Sequence, residues 1–217
     1  ESLDYVSEDF GVFDELVEEL EYKIKSSIKS RLVSDVPVGL LYSGGIDSNL
    51  IKALSPVEFK SFTGGMENDY DTDHAKEIGD PNSKTHIIEK ELFLQKFKDM
   101  VKLRKEPLSV PNEVILSFLA EDWSMEGGKV LLSGEAADEL FAGYDRIYFW
   151  ALSQTKFETK EFLKHYAYVP IEQINDDIIE QTKNFFKKIS FLSVFEQVRQ
   201  FFIKIHLPIL FRRLDFS

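Results

Sequence analysis

The sequence predicts an α/β fold: a parallel sheet with helices on both faces, followed by a helical C-terminal part. Three observations predict it. Between Phe13 and Met125 the apolar spacing switches repeatedly between the helical period and the strand period. Two stretches, Val36–Leu50 and Lys129–Tyr144, each run from a buried strand through a small-residue turn into an acid-bearing helix start. From Arg146 onward the strand period is gone and the pattern is helical throughout.

At the N-terminus, Glu1, Asp4, Glu8, Asp9, Asp14, Glu15, Glu18, Glu19 and Glu21 all precede the first base, Lys23, which suits the electrostatics of a helix N-terminus. Phe13, Leu16, Val17, Leu20, Ile24 and Ile28 then mark an amphipathic helix that packs on the core and ends before Pro37. Val36–Tyr42 reads as a buried strand, and Asp47-Ser48-Asn49 opens a helix carrying Leu50, Ile51 and Leu54. Val57–Thr63 alternates as a second strand, with Gly64-Gly65 at its C-terminal end. Asp71–Ile78 is a short helix stopped by Gly79-Asp80-Pro81-Asn82, and Lys84–Ile88 is a third strand. Glu91–Leu103 and Asn112–Met125 are helices separated by the loop Lys105–Pro111, and Lys129–Leu132 is a fourth strand. Parallel sheets of this kind bind ligands beyond the carboxyl ends of their strands, where the glycine turns lie.

The helices expected over Glu172–Lys188 and Ser193–Ile205 are apolar around much of their circumference, and the tail is rich in Phe. Burial on two sides is implied, with cover from a partner chain or from residues beyond Ser217. The organisation is therefore an N-terminal helix (1–34), an α/β core (35–145) and a helical part (146–217).

Composition narrows the class. A chain of 217 residues with 43% hydrophobic content can bury a sizeable core. A net charge of −12 argues against a nucleic-acid backbone or an anionic membrane as the main partner. Cys is absent, which removes disulfides, zinc–thiolate sites and any cysteine nucleophile within these residues. No signal-like or membrane-spanning apolar run is present, so a cytoplasmic protein is the expectation.

Two stretches carry chemistry. Ser43-Gly44-Gly45 leading into a helix aims backbone N–H groups and the positive end of a helix dipole at one point, a site for an anion. Asp47 inside such a cradle repels a phosphate unless a divalent cation lies between them, which points to Mg²⁺. An ordinary strand-to-helix turn capped by Asp or Ser is the alternative. Ser133-Gly134-Glu135-Ala136-Ala137-Asp138-Glu139 repeats the logic. An acidic N-terminal cap explains any one of its three acids, while the cluster together with Asp47 suits a shared Mg²⁺–nucleotide site. The four His residues are scattered and show no metal-ligand spacing.

Leu41-Tyr42-Ser43-Gly44-Gly45-Ile46-Asp47-Ser48 resembles the pyrophosphate loop of the N-type ATP pyrophosphatases, whose fold is of the adenine nucleotide alpha hydrolase-like kind. Leu132–Tyr144 is similar, nearly residue for residue, to the signature of the asparagine synthetase group within that class. Glu106-Pro107 and the run from His206-Leu207-Pro208 to Arg213-Leu214-Asp215 match in spacing, so the resemblance extends from about Asp35 to the last residue. It implies ATP-dependent amide formation: a substrate carboxylate, aspartate by expectation, attacks the α-phosphorus of ATP, and ammonia then displaces AMP.

By the same resemblance, Leu41, Tyr42, Ser43, Gly44, Gly45, Asp47, Ser48, Gly64, Ser133 and Gly134 bind ATP and pyrophosphate. Asp47 and Asp138 hold Mg²⁺, and Glu135 serves the acyl-adenylate step. Family members begin with a glutaminase domain bearing an N-terminal Cys, which these residues lack; free ammonia, a borrowed glutaminase or an excised synthetase domain are the alternatives. Lys105 stands where many members carry an acid. Ala136 and Ala142 replace frequent glycines with little consequence expected, and Asp215 is followed by Phe216 rather than Arg. A homodimer is compatible with the pattern.

Overall fold

The computed structural model describes residues 13–78, 81–108 and 110–214. The acidic start before residue 13, the Gly79-Asp80 stop and the terminal Asp215-Phe216-Ser217 lie outside the described residues. The chain divides into two compact units, one up to Gly134 and the other from Glu135.

The first unit opens with α1 (Phe13–Arg31), acidic in its first turn and basic in its last. It continues β1 (Val38–Leu41), α2 (Ile46–Leu54), β2 (Ser61–Gly65), α3 (Tyr70–Ile78), β3 (Ser83–Ile87), α4 (Lys90–Arg104), α5 (Asn112–Met125) and β4 (Val130–Leu132). The four strands are parallel in the order β3-β2-β1-β4.

Alternation along the strands sends neighbouring residues to opposite faces. Leu40 and Tyr42, both buried, pack with Leu32, Ile51, Phe59 and Leu132 on the face covered by α1 and α2. Leu41, Phe62 and Leu131 pack with Ile115, Leu119 and Trp123 of α5 on the other. After β1 the chain moves outward through β2 and β3, then returns through α4 and α5 to lay β4 on the opposite side of β1. That reversal makes the carboxyl ends of β1 and β4 the switch point of the sheet, where ligands of doubly wound folds bind.

The second strand begins later than its alternation suggests. Ser55 Oγ donates to the carbonyl of Val57 and accepts from its N–H, folding Ser55–Val57 into a turn. The ladder instead runs on through Gly64 and Gly65, paired with His86 and Ile87, so this glycine pair is strand and not turn. A Cβ on Gly64 would stand 2.8 Å from Leu119 Cδ2; its smallness seats α5 on the sheet.

The second unit comprises α6 (Ala137–Phe141), α7 (Asp145–Ser153), α8 (Thr159–Tyr166), a 3₁₀ turn (Ile171–Gln173), α9 (Asp176–Lys188), α10 (Val194–Phe201), a π-helical turn (Phe202–His206) and α11 (Leu207–Leu214). Asn175 caps α9 by accepting from Asp177 N, and Ser193 caps α10 by accepting from Glu196 N. Ile147, Tyr148, Phe162, Phe186, Val198, Phe201 and Phe202 form its core.

Burial on two sides holds for α10, in which Val194, Glu196, Gln197, Val198, Gln200 and Phe201 are all buried. It does not hold for α9, which buries Thr182 and Phe186 along one face and leaves Ile178 exposed. Much of the cover for α10 comes from within the unit: Phe195 packs on Tyr148 of α7, and Phe201 on Phe162 of α8 and on Phe185 and Phe186 of α9. The chain also stays helical past Ile205, through Pro208. Proline has no N–H and its ring crowds the carbonyl four residues back; the turn before it widens, Leu207 N–H bonding Phe202 O five residues back.

Candidate active site

The first stretch folds as a strand end, a left-handed glycine and a helix start. Gly44 has φ 78°, a conformation costly for any residue with a Cβ. Gly45 is the N-cap of α2 and brings no side-chain acceptor to it. The first-turn N–H groups of a helix have no intrahelical partner, so those of Ile46, Asp47 and Ser48 are left facing the turn.

Around this turn the polar groups brace one another. Gly45 N–H donates to Ser43 Oγ (3.2 Å), and Ser43 Oγ lies 3.3 Å from Ser48 Oγ. Ser48 Oγ donates in turn to Gly45 O (3.1 Å). Asn49 Nδ2 donates to Gly44 O (2.5 Å) and Gly45 O (3.1 Å), and Tyr42 OH donates to Asn49 Oδ1 (2.8 Å). Thr63 Oγ1 bonds the Tyr42 carbonyl from the adjacent strand.

Not every residue named from sequence faces this turn. Tyr42 is buried against α2, with Lys52 Nζ 5.0 Å from its ring centroid, so its ring lies beneath the loop and its hydroxyl is spent on Asn49. Leu41 turns toward α5. Gly64 likewise packs against α5, and what it can offer a ligand is its peptide. Asp47 sits in the first turn of α2, half-buried, and burial raises its carboxyl above the usual range.

The second stretch reaches the first at Gly134. A Cβ there would stand 2.8 Å from Asp47 Cβ and 3.4 Å from Ser48 N, so the turn after β4 lies against the first turn of α2. Ser133 precedes it at the end of β4.

Glu135 and Asp138 belong to the second unit, where both are at least partly exposed. Glu139 differs: it is 1% exposed, accepts from Tyr144 OH (2.5 Å) and lies 3.5 Å from His206 Nε2. Tyr166 OH and His206 Nδ1 are 2.8 Å apart. The three acids therefore separate into two that reach solvent and one built into the core. Burial and the nearby acids, Glu139 first, push the Tyr144 hydroxyl far above its ordinary range, keeping it a donor. Ala136 and Ala142 flank α6 at φ 83° and 62°. The expectation that alanine is inconsequential there is corrected: both occupy the left-handed region, where a Cβ is strained.

Asn49, read from the sequence as part of a helix opening and not as a site residue, makes three side-chain hydrogen bonds around the loop. Its signal was a poor helix former placed within the first helical turn. Among the described residues, no group of three or more His, Asp or Glu could hold a metal ion by itself. Magnesium bound with a phosphate needs only one or two carboxylates. No helix among the described residues is long and apolar enough to cross a membrane.

A parallel doubly wound sheet with an uncapped, glycine-turned helix start at its switch point is the architecture of nucleotide-binding α/β proteins. The chain belongs to the asparagine synthase family, whose model matches residues 19–198. It is 37% identical over 171 residues to asparagine synthetase [glutamine-hydrolyzing] 1 of Bacillus subtilis, covering 72% of this chain and 26% of that protein. A putative asparagine synthetase [glutamine-hydrolyzing] 1 of Methanocaldococcus jannaschii is 36% identical over 145 residues, covering 62% of this chain and 26% of that one. Amidase chyE of Penicillium rubens is 28% identical over 165 residues, covering 65% and 25%. The chain thus spans about a quarter of the length of the curated relatives it matches.

Proposed function

We propose that this chain carries the synthetase chemistry of its family: aspartate, ammonia and ATP give asparagine, AMP and pyrophosphate through an acyl-adenylate. The observation that carries the reading is the seating of Gly134 on Asp47 and Ser48, which joins both motif turns at the switch point of the sheet. The N–H groups of Ile46, Asp47 and Ser48, uncapped by any side chain of Gly45, hold the departing pyrophosphate by preorganised electrostatics. Ser43 and Ser48 keep the loop in register beneath it.

Asp47 and Asp138 are the metal ligands that the motif match assigns, and they suit a hard cation. Mg²⁺ held by these residues would supply charge neutralisation for the phosphates. Asp47 accounts for itself in this scheme: a half-buried carboxylate that burial disfavours gains from a cation beside it. Glu135 orients the substrate amine or takes a proton from the attacking ammonia.

The relatives named as glutamine-hydrolysing are about four times longer than the matched segment. These 217 residues contain no Cys, so a cysteine glutaminase supplying ammonia lies outside them. The cytoplasm, where ATP and aspartate are abundant, is the proposed compartment. A second reading is that another carboxylate is amidated; the match to a protein named an amidase favours it. A nucleotide-binding subunit without catalysis is the third.

The test is incubation with Mg²⁺-ATP and ammonium, with and without aspartate, and separation of the nucleotides. AMP and pyrophosphate that appear only with aspartate support the reading. AMP that appears only with a different carboxylate moves it to the second, and intact ATP with every carboxylate leaves the third.

A further inference from the structure

We infer that Asn49 is a positioning residue for the pyrophosphate cradle, fixing the direction of the loop's N–H groups without touching the anion; this rests on the proposed binding of pyrophosphate by that loop.

The geometry is that of the planar trans peptide, in which the C=O of one residue and the N–H of the next point in opposite directions. Holding the Gly44 carbonyl therefore fixes the Gly45 N–H, and holding the Gly45 carbonyl fixes the Ile46 N–H. Asn49 Nδ2 takes both carbonyls, at 2.5 and 3.1 Å, from the helix side of the loop. Gly45 O is held besides by Asn49 N–H (3.0 Å) and Ser48 Oγ (3.1 Å). The particular contribution of the amide is thus at Gly44 O: it turns the Gly45 N–H onto Ser43 Oγ (3.2 Å) and so sets the loop conformation from which the N–H groups of Ile46, Asp47 and Ser48 point. Gly44 lies at φ 78° with no side chain to limit it, and a glycine pair left alone samples many conformations.

The amide is itself held. Tyr42 OH donates to Oδ1, so the oxygen faces the tyrosine and the NH₂ group faces the two carbonyls. Tyr42 is 2% exposed and stacked under Lys52, which fixes its hydroxyl. A chain of contacts runs from the buried strand end through one amide to the loop peptides. Ser, with one rotatable hydroxyl donor, could not take both carbonyls and the tyrosine at once.

The experiment uses the whole chain and inorganic pyrophosphate with Mg²⁺ as the probe. Affinity is measured by calorimetry, and the amide resonances of Gly45 and Ile46 are followed by NMR during the titration. Circular dichroism establishes that each variant is folded at the working temperature. Asn49→Ala is expected to lose affinity by about tenfold or more, the weight of one to two hydrogen bonds, with the two amide shifts scattered or lost. Tyr42→Phe, which keeps the core packing and removes only the hydroxyl, is expected to lose about threefold, in line with one weaker, indirect hydrogen bond. Wild-type affinity and wild-type amide shifts in both variants would overturn the role of Asn49 and leave the site reading standing. No binding of pyrophosphate by the wild type, with no amide shift, would overturn both together.

Discussion

Gly134 rests against Asp47, with space for no side chain between them: an added Cβ would lie 2.8 Å from Asp47 Cβ. Two stretches far apart in sequence meet there because β4 pairs with β1 in parallel, Val38 opposite Val130 and Leu40 opposite Leu132. Gly134→Ala must push the β4 turn away from α2. Overpacking of this kind costs about 1–3 kcal/mol, and the variant should also bind Mg²⁺-pyrophosphate at least about tenfold more weakly, since a shift of this size misplaces the cradle. Thermal melts and calorimetry on the same preparation check both.

Asp47 is held ionised at a cost in stability. Burial raises its carboxyl, so the folded protein holds the proton more tightly than the unfolded chain does. Stability from this group falls as pH rises through the window above the ordinary Asp value, and the full penalty is present at neutral pH. Asp47→Asn should therefore melt higher than wild type at pH 7, with the difference vanishing below about pH 4, near the unperturbed carboxylate value. The same variant should lose ATP turnover. A lower melting temperature at pH 7 would contradict the assignment.

The alanines flanking α6 should be improvable. Ala136 and Ala142 hold φ of 83° and 62°, where a Cβ costs about 1–2 kcal/mol. Glycine removes that strain but loses more chain entropy on folding. The expected net gain is about 0.5–1 kcal/mol for each of Ala136→Gly and Ala142→Gly, read from chemical denaturation.

Glu113 anchors the segment between α4 and α5. It is buried with Arg104, which donates to its Oε2, while Val110 N donates to Oε1 at 3.2 Å. Glu113→Gln removes the charge that Arg104 faces inside the protein and should destabilise by about 3–5 kcal/mol. An effect below about 1 kcal/mol, the scale of an exposed pair, measured by urea denaturation, would show that the pair is not the anchor.

Much of this architecture was legible from spacing. Helix α5 has the bounds expected from its apolar pattern, and the strands differ by a few residues at their ends. The order β3-β2-β1-β4 was not legible, because nothing local in Val130–Leu132 says which neighbour it chooses. Nor could the sequence separate Glu139 from Glu135 and Asp138. All three are acids near a helix start, and only the packing of Tyr144 and His206 turns one of them inward. Asn49 is legible only as part of a helix opening, because the two carbonyls and the tyrosine hydroxyl that its amide meets are chosen by packing and not by spacing. The π-helical turn before Pro208 was hidden too, since a proline ordinarily reads as a stop.

The most direct test of the central claim traces oxygen. Aspartate labelled with ¹⁸O in its side-chain carboxylate is incubated with the chain, Mg²⁺-ATP and ammonium, and the phosphorus products are analysed by mass. Attack of that carboxylate on the α-phosphorus, then of ammonia on the acyl carbon, leaves one substrate oxygen on the phosphate of AMP and none in pyrophosphate. Label appearing in inorganic phosphate alongside ADP would contradict the account, because the carboxylate would then have attacked the γ-phosphorus.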